Sequence, residues 1–156
     1  MKTEVEIISL ANSIIKAAEY LLDGGFYSDA YYLAGYGFEL LLKAKICKTL
    51  LIPDFFDFEN SKNRRLTVNN TRKQKENSGN LYKSFKVHDY EQLLILSGLY
   101  TEFSNNIIND LDFGADWYVI SLWDESLRYS TNNSKIDVES FIYSIKNMML
   151  WLQQRL

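Results

Sequence analysis

The chain is poor in the residues that build turn-rich and disulfide-bonded folds. Its 156 residues include one proline, seven glycines and one cysteine, Cys47. So few prolines and glycines disfavour an all-β sandwich, which needs frequent turns. A lone cysteine can form neither an internal disulfide nor a multi-cysteine zinc site, and it suits a reducing compartment. Helices are therefore the expected secondary structure, and neither a metal nor a cofactor is predicted.

Long apolar runs are also missing. Glu39 and Lys43 interrupt the longest one, so no stretch reaches the roughly 18–20 apolar residues of a membrane span. Residues 1–6 include Lys2, Glu4 and Glu6, which are foreign to the apolar core of a signal peptide. The sequence thus predicts a soluble, cytoplasmic protein with no membrane partner. Its length, with 47% hydrophobic and 24% charged residues, favours a single domain over residues 1–156.

The net charge of -3 conceals one strongly basic segment. Between Asn60 and Lys86 the chain has eight Lys and Arg side chains and a single acidic one, Glu76. Polar residues dominate there without helical or strand period, which predicts a flexible loop at about residues 59–84. Such a loop is either an ordinary solvated segment or a contact for RNA phosphates, because clustered cations attract a polyanion. The candidate phosphate-binding side chains are Arg64, Arg65, Arg72, Lys73 and Lys75.

A long helical hairpin is predicted at the start of the chain. Thr3 and Glu6 have capping-box spacing, and Gly24-Gly25 supplies residues that can end a helix. A second helix is expected to begin at Ser28 and to run to about Leu51. Because the turn between them is short, the two helices should pack antiparallel. One face of the second helix carries mostly small side chains that permit close packing, at Ala30, Ala34, Gly37, Leu41 and Ala44.

Shorter helices are predicted in the second half of the chain. Asp89 is expected to cap a short helix that ends near Gly98, a further helix covers residues 101–111, and Asp137 caps the last helix. Residues 113–134 hold several aromatic side chains without a clear period, which indicates an ordered but irregular connection. The sequence therefore predicts an all-α, up-and-down bundle of four to five helices.

The second helix also carries a family resemblance. Residues 30–44, AYYLAGYGFELLLKA, resemble the core helix of the HEPN family, small helical domains of prokaryotic toxin, defence and nucleotidyltransferase-associated proteins. Residues 86–90, KVHDY, are similar to a second family segment, and the resemblance extends over about residues 5–152. A third similar group consists of Trp123, Glu125, Arg128 and Tyr129. The resemblance implies a helical bundle that commonly pairs as a homodimer.

In active members of that family, an Arg and a His separated by four to six residues cut RNA without metal. This sequence departs from that pattern, because His88 is its only histidine and no arginine lies five to seven residues before it. Lys83 lies five residues before His88, but lysine lacks the planar fork with which arginine holds a phosphate. After Arg128 the corresponding positions are 133–135, which hold Asn, Ser and Lys. The departure disfavours the ribonuclease interpretation.

Several side chains are nevertheless candidates for a functional site. The catalytic candidates are His88, Arg128 and Glu39, and the cleft-lining candidates are Lys43, Trp123 and Tyr129. His88 either fixes the start of the short helix or has a catalytic or ligand-binding role. Glu39 either pairs with Lys43 four residues along the helix or faces inward to orient His88 or Arg128. Arg128 and its aromatic neighbours either line a cleft for a base and phosphate or fill the end of the bundle.

From these features we predict a binding and regulatory component of a toxin–antitoxin or defence system. A homodimer is expected, with RNA or a nucleotidyltransferase as the partner. The alternatives are a metal-independent ribonuclease with a non-standard site and a purely structural interaction module.

Overall fold

A computed structural model describes residues 3–52, 55–56, 87–129 and 133–156, without the side chains of Arg128 and Tyr129. Every element in these residues is helical, which confirms the all-α class. The described residues form six α-helices, one more than the upper predicted number. None of them is both long and apolar enough to cross a membrane. The elements are α1 (Glu4–Asp23), α2 (Tyr27–Leu50), α3 (Tyr90–Leu96), α4 (Tyr100–Asn109), α5 (Leu111–Ile120), a 3-10 helix (Glu125–Tyr129) and α6 (Lys135–Gln153).

The predicted capping box starts α1. The Thr3 hydroxyl accepts from the Glu6 amide, and the Glu6 carboxylate accepts from the Thr3 amide at 2.7 Å. The start of α2 differs from the prediction, because Phe26 rather than Ser28 is the N-cap and makes no side-chain cap bond. The Phe26 amide closes the two-glycine turn by donating to the carbonyl of Leu21 at 2.8 Å. The turn between the helices therefore ends before Ser28, and Ser28 lies inside the first turn of α2.

The small face of α2 packs closely on α1, as its residue pattern predicts. The packing distance is visible at Gly37, because a Cβ atom built there would lie 2.7 Å from the Cδ1 atom of Ile15. Ala30, Ala34 and Ala44 of the same face are fully buried. Because Gly37 on α2 faces the middle of α1, while the helix ends join at the short turn, the two helices run antiparallel.

The last helix, α6, completes a layer of three long helices. The rings of Tyr31 and Phe141 lie 4.0 Å apart at one end, and the Lys45 ammonium donates to the Arg155 carbonyl at 2.8 Å at the other. Both contacts join residues 110 apart, so α6 runs parallel to α2. Aromatic side chains from α4 and α5 cover the end of this layer, where the Phe103 ring lies 5.3 Å from that of Trp151.

The start of α6 corrects the predicted cap. The Ser134 hydroxyl accepts from the amide of Asp137, so Ser134 is the N-cap. The Asp137 carboxylate instead accepts from the Ser134 hydroxyl at 2.5 Å. Asp137 therefore lies in the first turn, where an acidic side chain favours the helix dipole.

The irregular connection predicted over residues 113–134 was wrong in its first part, because residues 111–120 form α5. Asp110 caps this helix, since its carboxylate accepts from the amides of Asp112 and Phe113. The helical period was hidden in the sequence because α5 is apolar on two faces. Phe113 packs inward on Phe103 at 5.0 Å, whereas Tyr118 is 69% exposed.

Candidate functional site

A buried carboxylate in the middle of α2 organises the candidate site. Glu39 is 0% exposed. Lys43, one turn further along α2, donates to the Glu39 Oε1 atom at 2.5 Å, and its own side chain is 13% exposed. The Nδ1 atom of His88 lies 3.0 Å from Oε1 and 3.1 Å from Oε2 of the same carboxylate. Glu39 thus makes both contacts that the sequence left as alternatives, the ion pair within α2 and the contact with His88.

The second nitrogen of His88 contacts another carboxylate. The Nε2 atom lies 3.1 Å from Oε2 of Glu125, the first residue of the 3-10 helix. The imidazole therefore bridges α2 and the 3-10 helix. A carboxylate oxygen can only accept a hydrogen bond. Both contacts are therefore hydrogen bonds only when each ring nitrogen carries a hydrogen. The ring is 34% exposed and Glu125 is 38% exposed, so this side of the bridge faces solvent.

The start of α3 places His88 beside Glu39. Asp89 caps α3 by accepting from the amide of Gln92 at 2.8 Å. Tyr90, the next residue, is buried and donates through its hydroxyl to the carbonyl of Gly35 at 2.8 Å. Burial, with a smaller contribution from the negative charge of Glu39, raises the pKa of Tyr90 well above its usual value. Its hydroxyl therefore keeps the proton that anchors α3 to α2.

Trp123 is held in the packed end of the bundle. Its ring stacks on Tyr90 at 5.1 Å and lies 6.1 Å from the ring of Tyr32. A Cβ atom built on Gly35 would lie 2.2 Å from the indole Nε1 atom, so the indole edge rests directly on the α2 backbone. That nitrogen is buried and has no hydrogen-bond partner among the described residues. Trp123 thus fills the bundle end, and one side of it reaches the neighbouring groove.

His88 opens onto a groove of about 430 Å³ between α3, α5 and the 3-10 helix. The groove is lined by His88, Asp89, Tyr90, Glu91, Trp117, Ser121, Trp123, Asp124 and Glu125. Within the described part of the chain, the charged side chains of this lining are four carboxylates, with no Lys or Arg. Lys43, predicted to line a cleft, is not in this lining, and its ammonium lies 5.8 Å from the ring centre of Phe56. The groove thus suits a cationic group better than a phosphate.

The remaining predicted site residues lie outside the described atoms. The backbones of Arg128 and Tyr129 belong to the 3-10 helix, but their side chains are not described. Residues 57–86, which contain the five predicted phosphate-binding side chains, are also outside the described range. Among the described residues, no group of His, Cys, Asp or Glu side chains is arranged to bind a metal ion.

Sequence reasoning missed the role of Glu125. It was noted only as part of the family resemblance, yet it contacts the second nitrogen of His88. The signal for this role in the sequence is the acidic pair Asp124-Glu125, which directly follows Trp123. Because Trp123 is anchored, a carboxylate beside it is held at the edge of the core.

The fold and the site define a helical bundle that contains a carboxylate–imidazole–carboxylate bridge. No family model, curated protein or solved structure matches the chain. The HEPN resemblance accordingly stays a prediction from residues 30–44 and the two shorter segments.

Proposed function

We propose that this chain is a HEPN-like binding and regulatory component of a toxin–antitoxin or defence system. It acts as a homodimer and contacts RNA or a nucleotidyltransferase partner rather than cutting RNA. The observation that carries this proposal is the position of His88 between two carboxylates. A general base needs a ring nitrogen directed at the substrate hydroxyl, whereas both nitrogens of His88 face carboxylate oxygens.

The charges of the groove support the same proposal. Its charged lining consists of the carboxylates of Asp89, Glu91, Asp124 and Glu125. Carboxylates that line a groove repel a phosphate bound in it. RNA phosphates are instead attracted by the basic segment of the sequence, residues 60–86. Binding through that segment requires no reacting group, so it is compatible with the bridged histidine.

RNA binding is tested by the salt dependence of affinity for a fluorescently labelled single-stranded RNA. We expect retention at low salt and a steep loss of affinity as salt rises. Replacing the five predicted phosphate-binding side chains by Gln should reduce the slope of log K against log salt by about 0.7 for each phosphate that is no longer neutralised. A control variant replaces three exposed lysines elsewhere, Lys16, Lys48 and Lys135, and its slope per removed charge is compared with that of the test variant. Absence of RNA retention at low salt would contradict RNA binding and leave the interaction-module alternative.

A ribonuclease with a non-standard site is the second candidate, and one contact favours it. The buried Glu39 fixes the orientation of the His88 ring through Nδ1, as a carboxylate does for a histidine that acts as a general base. If Glu125 moves aside when RNA binds, Nε2 faces the groove. This candidate requires the catalytic roles that the sequence assigned to His88, Arg128 and Glu39.

The two candidates differ in an RNA cleavage assay with EDTA present. Under the main proposal, the purified chain and the His88→Ala variant produce the same background level of fragments. Cleavage that His88→Ala abolishes would support the ribonuclease and overturn the main proposal. Because His88→Ala also removes a structural contact, the variant is first compared with the unchanged chain by circular dichroism, and Glu125→Gln serves as a second variant that retains the imidazole.

A further inference from the structure

Helix α5 is apolar on the side that faces away from the core as well as on the side that faces it. Phe113, Trp117 and Ile120 point toward the bundle, where Ile120 is fully buried. The outer side carries Leu111, Tyr118 and, just past the helix end, Leu122, which are 89%, 69% and 63% exposed. Their spacing of seven and four residues places these three side chains on one face. Exposed large apolar side chains that share one face of a helix mark a candidate contact surface.

The segment of the chain that contains this face, residues 87–127, is acidic. From residue 87 to residue 127 the sequence has eight Asp and Glu residues and no Lys or Arg. Asp110 and Asp112 are exposed at the start of α5, and Asp124 is exposed beyond its end. The carboxylate groove lies directly alongside, because its lining residues Ser121 and Trp123 flank Leu122 in the chain. The apolar face is thus bordered by carboxylates at both ends and along the groove.

We propose that the outer face of α5 and the adjoining groove bind a basic amphipathic helix of a partner protein. The apolar side of that helix covers Leu111, Tyr118 and Leu122, and its Lys or Arg side chains reach the carboxylates of the groove. This recognition combines burial of apolar surface with charge complementarity, which sets specificity and the rate of association. The proposal rests on the proposed function and deepens it by giving the chemistry of the partner protein.

Charge argues against two other occupants of this face. In a two-fold contact between copies of the chain, the same acidic surface would face itself, and opposed like charges are costly. An RNA strand would bring phosphates against the same carboxylates. A cationic partner, in contrast, is attracted by these carboxylates.

Helix α6 provides a matched control surface. Along α6, Ile136, Tyr143 and Leu150 lie seven residues apart on one face and are 77%, 67% and 60% exposed. Their charged neighbours are of both signs, since Lys135 lies 3.6 Å from Glu139. The two faces therefore expose similar apolar side chains but differ in charge.

The test uses two synthetic helical peptides and the full chain. One peptide contains Leu and Lys at amphipathic helical spacing, and the other contains Glu in place of every Lys. We expect the Lys peptide to bind, with an affinity that falls as salt rises, and the Glu peptide not to bind. The double variant Tyr118→Ser/Leu122→Ser should weaken binding by about tenfold or more, as removal of two apolar anchors does. Tyr143→Ser/Leu150→Ser should leave the affinity unchanged.

Each contrary result has a definite meaning. Absence of Lys-peptide binding at low salt, equal binding of both peptides, or equal effects of the two double variants would overturn the proposal. Dissociation of a dimer by Tyr118→Ser/Leu122→Ser, measured by analytical ultracentrifugation without peptide, would assign the face to a second copy and also overturn it. Failure of RNA retention with intact peptide binding would contradict the RNA part of the proposed function alone, and the reverse result would contradict the docking surface alone.

Discussion

Replacing Glu39 by Gln is expected to lower the free energy of unfolding by about 3–5 kcal/mol, the usual cost of removing one partner of a buried ion pair. The carboxylate is 0% exposed, and it accepts from Lys43, whose side chain is 13% exposed. Gln is neutral, so it leaves the part-buried ammonium of Lys43 without its counter-charge. It also replaces one of the two oxygens that face His88 by an amide nitrogen. Urea unfolding at neutral pH measures the effect.

The chain contains a matched control for this prediction. Glu139 and Lys135 form the same kind of pair four residues apart, at 3.6 Å, but their side chains are 50% and 59% exposed. An exposed pair of this type contributes about 0.3–0.5 kcal/mol, so Glu139→Gln should change stability little. In a Lys43→Met background, which removes the stranded ammonium, Glu39→Gln should cost less by about 1–3 kcal/mol. Equal costs for Glu39→Gln and Glu139→Gln would show that Glu39 does not anchor a buried charge cluster.

The features that could be predicted from the sequence are those set by near neighbours in the chain. The capping box of Thr3 and Glu6 needs only residues three apart, and the close packing of α2 follows from small residues repeated on one face. The pair of Glu39 and Lys43 was foreseen for the same reason, because residues four apart on a helix are adjacent. Local periodicity was thus sufficient to predict the helical hairpin and the contact of Glu39 with Lys43.

Contacts between distant segments could not be predicted in the same way. Glu39 and His88 are 49 residues apart, and no local rule selects Glu39 from the twenty acidic residues of the chain as its partner. Glu125 contacts His88 across 37 residues of sequence and follows Trp123, whose indole lies directly on the backbone at Gly35. α5 was missed because its outer face is apolar too, which removes the alternation that marks a helix in a sequence.

Replacing Gly35 by Ala is expected to destabilise the fold by about 2–3 kcal/mol, as overpacking of a filled core does. The new Cβ atom would lie 2.2 Å from Nε1 and 2.4 Å from Cδ1 of Trp123. The indole is a rigid plane stacked on Tyr90 at 5.1 Å, so it can move away only together with its surroundings. This cost exceeds the gain of about 1 kcal/mol that Ala brings to a helix interior. Urea unfolding measures the decrease in stability, and near-ultraviolet circular dichroism reports the displaced indole.

Two further variants separate this clash from a general effect of Ala in α2. At Gly37 a Cβ atom would meet the Cδ1 atom of Ile15 at 2.7 Å, which is the far end of a flexible side chain and can rotate. Gly37→Ala should therefore cost less than Gly35→Ala. In a Trp123→Leu background, which removes the ring, Gly35→Ala should be neutral or stabilising. An equal decrease in stability from Gly35→Ala with and without Trp123 would show that the indole does not set the requirement for glycine at this position.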